Sequence, residues 1–246
     1  YDDESTGIYT QVTDFTHEGS GDFTLSQFDL DTETAIQALT VRYGGVQYLD
    51  SVTTKLDAVL GMNLDSMRFT FQENTLSLNA FTVGFDGSVS LPEDAIAMDL
   101  SVKTQETAFK QLLSLVPALY QKDFEELQTR GQLTFQGEAR GRYTDNQYPA
   151  FQAKLAVKDG YFKYPSLSQA LDNVNFSLSV DNPGGELDKT VTTLKPLQFE
   201  VAGEPFEARM LLKTPMSDPF VDGRMQGKLN LGNLADLIPL GDETLL

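Results

Sequence analysis

The sequence predicts a mainly β fold, a curled antiparallel meander built from two similar units with one or two short amphipathic helices. Three observations predict it. Apolar and polar residues alternate through Leu133, Phe135, Gly137, Ala139, Gly141 and Tyr143, and again through Phe151, Ala153, Leu155 and Val157. A period of two marks strands with one apolar face. Glycine, proline, asparagine and aspartate punctuate these runs at short intervals, as turns require. Only one stretch, about 105–120, repeats its apolar residues at the three-and-four spacing of a helix.

In chain order, residues 1 to about 20 are polar and acidic, and read as a loop, a frayed end or the tail of an earlier strand. Phe23, Leu25, Phe28 and Leu30 begin the strand pattern, while Ala35 to Tyr43 fits strand or helix. Val41 to Tyr48 reads as a hairpin closed by Gly44-Gly45, where glycine supplies the positive φ of a tight turn. Strands are expected at 52–60, 66–72, 75–83 and 96–103, with Asn74 as a turn residue and Asp86-Gly87 and Pro92-Glu93-Asp94 as punctuation. The helix at 105–120 has Thr104 as its N-cap and places Ala108, Phe109, Leu112, Leu113, Val116 and Tyr120 on one face. A turn at Asp145-Asn146 separates the first two strands of the central stretch. A short helical patch then precedes Val174, Phe176, Leu178 and Val180, and Asp181 to Gly185 is a loop. Strands at 190–194, 197–202, 205–213 and 221–231 follow, and Leu234, Leu237 and Ile238 close the chain in an apolar helical turn.

Two segment pairs suggest an internal repeat. VRYGGVQY at 41–48 resembles VKDGYFKY at 157–164, and the strand-then-apolar segment 97–117 resembles 222–239. The expected units are 1–127, carrying the helix, and 128–246, joined in one continuous sheet.

Composition bounds the function. The 246 residues hold 36 acidic and 18 basic side chains, a net charge of -18, which argues against nucleic acid and against flat docking on anionic lipid. Cysteine is absent, so no disulfide, thiol nucleophile or cysteine–zinc site is available. The single histidine, His17, reads as a solvated side chain in a loose segment. The acidic pairs lack the spacing of a calcium loop, and no glycine-rich phosphate loop opens a helix. Tryptophan, common in carbohydrate sites, is absent as well.

What remains is apolar surface: sixteen Phe, nine Tyr and six Met, largely on alternating strand faces. They either fill an ordinary β core or leave a curled sheet open as a groove; both need the same alternation.

The stretch G-x-L-x-F-x-G-x-A-x-G-x-Y at 131–143, followed by Y-P-A-F-x-A-x-L-x-V-x-D-G-x-F-x-Y-P at 148–165, resembles the AsmA-like C-terminal region of Gram-negative envelope proteins. The resemblance continues in S-L-x-x-A-L-D-N-V-N-F at 166–176 and F-V-D-G-R-M-Q-G-K-L-N-L-G-N-L at 220–234. It implies a trough-like sheet with an apolar interior, in a periplasmic segment anchored to the inner membrane by a helix outside this chain. The implied function is conduction of phospholipid acyl chains in support of outer-membrane lipid transport or assembly. It implies no enzyme, no catalytic residue, no cofactor and no metal; envelope proteins are the implied further partners.

The groove-lining candidates are Phe135, Leu155, Val157, Phe176, Leu178, Phe199, Met210 and Leu212, of which no more than half are expected to line an open groove while the others pack under the helix. The alternative functions are a structural or adhesive β-protein acting through protein contacts, and a carbohydrate-binding β-domain.

Overall fold

The computed structural model describes residues 1–3, 7–44, 46–104, 107–113, 115, 127–163 and 169–228. They form one antiparallel 14-stranded sheet that is not closed. The first half contains β1 (Asp2–Asp3), β2 (Ile8–Ser20), β3 (Gln27–Tyr43), β4 (Val46–Asn63), β5 (Arg68–Leu78), β6 (Phe81–Ser90) and β7 (Ile96–Lys103). The connection to the second half holds β8 (Thr107–Ala108) and a short helix, α1 (Phe109–Leu113). The second half contains β9 (Gln128–Tyr143), β10 (Ala150–Lys163), β11 (Leu171–Asn182), β12 (Val191–Val201), β13 (Glu204–Lys213) and β14 (Phe220–Gly227). Each strand pairs with the next, except that β7 and the two-residue β8 both pair β9. The sheet runs unbroken across residue 127, because β7 pairs β9 from Ile96↔Tyr143 to Lys103↔Gln136.

Several expectations are corrected. Of the readings open for the acidic N-terminal segment the strand holds, as the 13-residue β2, so His17 does not lie in a loose segment, and Ala35 to Tyr43 resolves as strand throughout. Among the described residues the helix spans only Phe109–Leu113, not 105–120; residues 105, 106, 114 and 116–126 lie outside them. Thr107-Ala108 is a strand instead, because the free side of β9 recruits it. The Thr104 amide donates to the Phe135 carbonyl at 2.8 Å, and the Phe135 amide donates to Thr104 Oγ1 at 2.8 Å. Cross-strand hydrogen bonds thus take the residue expected to cap the helix.

Asn74 is not a turn residue; the β5–β6 reversal falls at Asn79-Ala80. Asn74 sits inside β5, 1% exposed, at a register shift, and its Oδ1 accepts the Val59 amide at 2.7 Å. Asp86-Gly87 likewise lies within β6, and Val191–Val201 is one strand with a bulge at Lys195-Pro196, a cis peptide. The repeat alignment of 41–48 with 157–164 places a hairpin turn on the interior of β10, so the repetition present is hairpin after hairpin rather than that pairing. The helical patch after 164 and the turn at 234–238 fall outside the described residues, apart from Gln169-Ala170, which are not helical.

Bulges interrupt the ladders at recurrent places, and polar side chains complete the missing bonds. Glu73 takes φ +55 and its amide donates to Asp86 Oδ1 at 2.8 Å. Asp159 takes φ +51 and donates to Asn175 Oδ1 at 3.1 Å, while Ser51 takes φ +52 and donates to Thr40 Oγ1 at 3.0 Å. An extra residue leaves a backbone group without its ladder partner, and short polar side chains both tolerate and repair that geometry. At the β9–β10 bulge the backbones touch: a Cβ on Gly131 (φ +120) would lie 2.7 Å from the Gly160 Cα.

The buried core is small. Phe81, Phe109, Leu133 and Val157 form one cluster, with Leu115 and Phe162 packed on it; Val52, Ala58 and Val174 complete the buried hydrophobics among the described residues. The whole chain exposes 16074 Å², against roughly 11,000 Å² for a compact protein of its mass.

Candidate functional site: the apolar face of the sheet

Residues paired across antiparallel strands point to the same side, so the register defines the faces. One row crosses the first half and into the second: Leu30, Leu60, Phe71, Gly87, Leu100, Ala139 and Phe151. A second joins Phe135, Leu155, Leu178, Leu194 and Met210. A third joins Leu133, Val157, Phe176, Leu197, Ala208 and Met225. The face is therefore apolar from β3 to β14. The opposite face carries the alternate residues: Gln136, Glu138 and Arg140 on β9 meet Lys154, Gln152 and Ala150 on β10. There Arg140 pairs with Asp99 at 3.0 Å, both exposed; that hydrogen bond and the carboxylate charge raise the arginine pKa further. A concavity of about 640 Å³ toward the last strands is lined by Asn175, Gln198, Glu207 and Gln226 together with the candidate Phe199 and its partner Phe206.

All eight candidate residues share the apolar face. Their surroundings divide them. Phe135, Leu155, Val157 and Phe176 belong to or pack on the cluster under Phe109, whose ring meets Phe162 edge-on at 4.8 Å. Leu178, Phe199, Met210 and Leu212 lie outside that cluster, each half-buried; Phe199 stacks on Phe206 at 5.3 Å. Toward the last strand no described segment covers the face, and Val221 and Met225 are exposed.

Sequence reasoning placed every candidate in the second half. It missed the same face in the first half, where Leu56 pairs Leu76, Met62 pairs Phe69, and Phe69 pairs Val89. The same alternation would have found them. Nor did it single out Phe109 as the residue that caps the face.

Reactive groups are dispersed. His17 lies in β2, with its Nδ1 2.9 Å from Thr34 Oγ1 and 3.3 Å from Thr32 Oγ1, and its ring stacked on Phe15. Among the described residues no group of three or more His, Asp or Glu side chains could hold a metal ion. No helix among them is long and apolar enough to cross a membrane. Two carboxylates instead build turns. Asp22 Oδ1 accepts the Thr24 hydroxyl and amide, and Asp188 accepts the Ser217 hydroxyl and the Met216 and Ser217 amides. These bonds, the hydroxyl first in each case, hold both below the ordinary aspartate range.

The chain matches no family model, no curated protein and no solved structure.

Proposed function

We propose that the apolar face holds the acyl chains of phospholipids, or of a similarly apolar ligand, and that the protein acts by binding and conducting them rather than by catalysis. The single observation that carries this is the set of apolar cross-strand rows that overlap at β9 and β10 and together reach from β3 to β14, roofed at the Phe109 cluster and exposed at Val221 and Met225. A face that served only as a core would lie buried along its length.

The energetics suit a chain-like ligand. Each methylene removed from water contributes about 0.8 kcal/mol, less where one side stays wet, so an extended acyl chain gains from a long strip without any deep pocket. In this proposal the sheet curls into a trough of two units, with the bulges in β10, β11 and β12 supplying the bend. Headgroups stay in water at the lip. The AsmA-like resemblance of 131–176 and 220–234 supports a periplasmic setting for such a trough, tethered to the inner membrane by a segment outside this chain and working beside envelope proteins.

The test is organic extraction of the purified protein, with mass spectrometry for phospholipid, and titration with a fluorescent fatty acid. Phospholipid in the extract and saturable fluorescence, both reduced in Leu178→Asp and Met210→Asp, are the expected results. Clean extracts together with no fatty-acid binding overturn the lipid proposal and return the face to protein contacts. Saturable sugar binding with clean extracts would favour the carbohydrate alternative.

A further inference from the structure

In an antiparallel meander every second connection falls at the same end of the sheet. Here the connections 21–26, 64–67, 91–95, 144–149, 183–190 and 214–219 gather along one rim. Neighbouring connections are tied together. The Leu64 amide donates to the Ser26 carbonyl at 2.8 Å, and Ser26 Oγ to Asp65 Oδ2 at 2.7 Å. The Leu91 amide donates to the Met67 carbonyl at 3.0 Å. Tyr148 and Gly185 exchange amide–carbonyl bonds at 2.8 and 2.9 Å, and Asp188 holds the 216–217 backbone. Two groups of three connections thus form continuous ledges, and the Ile96↔Tyr143 pair lies between them.

These tethered turns present apolar tips. Phe23 is 68% exposed, Leu25 54% and Met216 69%, and Leu64, Met67 and Leu91 are also exposed. The row continues into the apolar face, because Phe23 meets Phe28, paired to Met62, edge-on at 5.2 Å. The same six connections carry eight carboxylates against one lysine, Lys189. The other end differs: among the described residues its connections, Gly7, Gly44, Asn79-Ala80, the segment carrying α1, Gln169-Ala170 and Ala202-Gly203, hold no carboxylate and one lysine, Lys110, and its exposed apolar residues include Tyr43 and Tyr48.

We infer that this rim is a docking edge for a bilayer surface of zwitterionic phospholipid, at which lipid passes between the membrane and the apolar face. The inference rests on the lipid-binding function proposed above. At about 4.8 Å per strand the row of tips extends roughly 50 Å, long enough to engage a bilayer at several points. Phenylalanine, leucine and methionine at the tips insert at headgroup depth. The carboxylates between them face the outermost charge of choline and ethanolamine headgroups, an ammonium, and are repelled by anionic lipid. Tethering of the turns fixes the tips before binding, so little ordering accompanies insertion.

The experiment is co-sedimentation with phosphatidylcholine vesicles, and with vesicles of equal parts phosphatidylcholine and phosphatidylglycerol. The wild-type chain is expected to sediment with the first and more weakly with the second. Phe23→Ser/Met216→Ser is expected to lose about a hundredfold in vesicle binding, from two apolar side chains no longer buried. It should keep its strand circular dichroism and its fatty-acid titration. Tyr43→Ser/Tyr48→Ser, at the other end, is expected to sediment as the wild type does. Equal loss in both variants, or stronger binding to the anionic vesicles, overturns the inference. So does a wild-type chain that binds fatty acid but ignores vesicles, which leaves the lipid-binding function standing. Vesicle binding without fatty-acid binding fails that function instead, and reduces the rim to a membrane contact with no transfer. Retention of polylysine with no vesicle binding reassigns the rim to a basic protein partner and overturns the bilayer inference.

Discussion

Leu133 on β9 and Met225 on β14 stand in the same cross-strand row of the same face. Leu133 is 0% exposed and Met225 62%. Their strands differ little in pattern: both alternate, and apart from Phe220 at the start of β14 both put their apolar residues on one side. Part of the difference comes from what lies above. Phe109 covers Leu133 and Val157, whereas no described segment covers Met225. Burial on a single-layer sheet thus depends on the overlying segment and on how many strands flank the residue: Leu133 is paired on both sides, by Thr107 and Val157, and Met225 on one, by Ala208.

The comparison can be broken most sharply at its covered end. Leu133→Ala is expected to lower unfolding free energy by about 3 kcal/mol, the cost of a cavity in a site that cannot collapse. Met225→Ala, on the same row, should stay within about 0.5 kcal/mol of wild type. Denaturant melts of the two variants measure both, and similar values would mean that Phe109 does not divide the face. Next in size is Asn74→Ala. It removes the buried side chain that accepts the part-buried Val59 amide at the β4–β5 bulge and is expected to cost about 1 kcal/mol, read in the same melts.

The smallest effect lies at the open end. Asp188 is ionised at a lowered pKa, so its contribution to the 214–219 connection is fully present above its ordinary value of 3.8 and disappears as pH falls through the lower folded value. Exchange of the Met216 and Ser217 amides, corrected for intrinsic rates, should accelerate on acidification across that window in the wild type but not in Asp188→Asn. The exchange of Leu155 and Val157 under Phe109 should not follow it.

Much of this architecture was legible in the sequence, for a physical reason. Period-two alternation is the imprint of a sheet with two unlike faces, and it located β7, β10 and β13 closely and put all eight candidates on one side. The failures came where a side chain substitutes for backbone. Asn74 and Asp86 look like turn residues because asparagine and aspartate bond to nearby amides; here they do so at bulges within continuous strands. The helix was overextended because Thr104 and Thr107 find partners on β9, a tertiary competitor that local spacing does not reveal. That a helix would cover part of the apolar face was expected, but which residues lie beneath it was not legible, since alternation is the same beneath Phe109 as beside β14.

Along the main path of the ladder each strand meets only the strands beside it. Such an array behaves as a one-dimensional chain of coupled units, with cooperativity transmitted from neighbour to neighbour. Adding or deleting one hairpin alters two interfaces and leaves the rest intact. Each added pair of strands would lengthen the apolar strip by roughly 10 Å, so reach is a quantity that evolution or an engineer can adjust in steps, by copy number, without redesigning the fold.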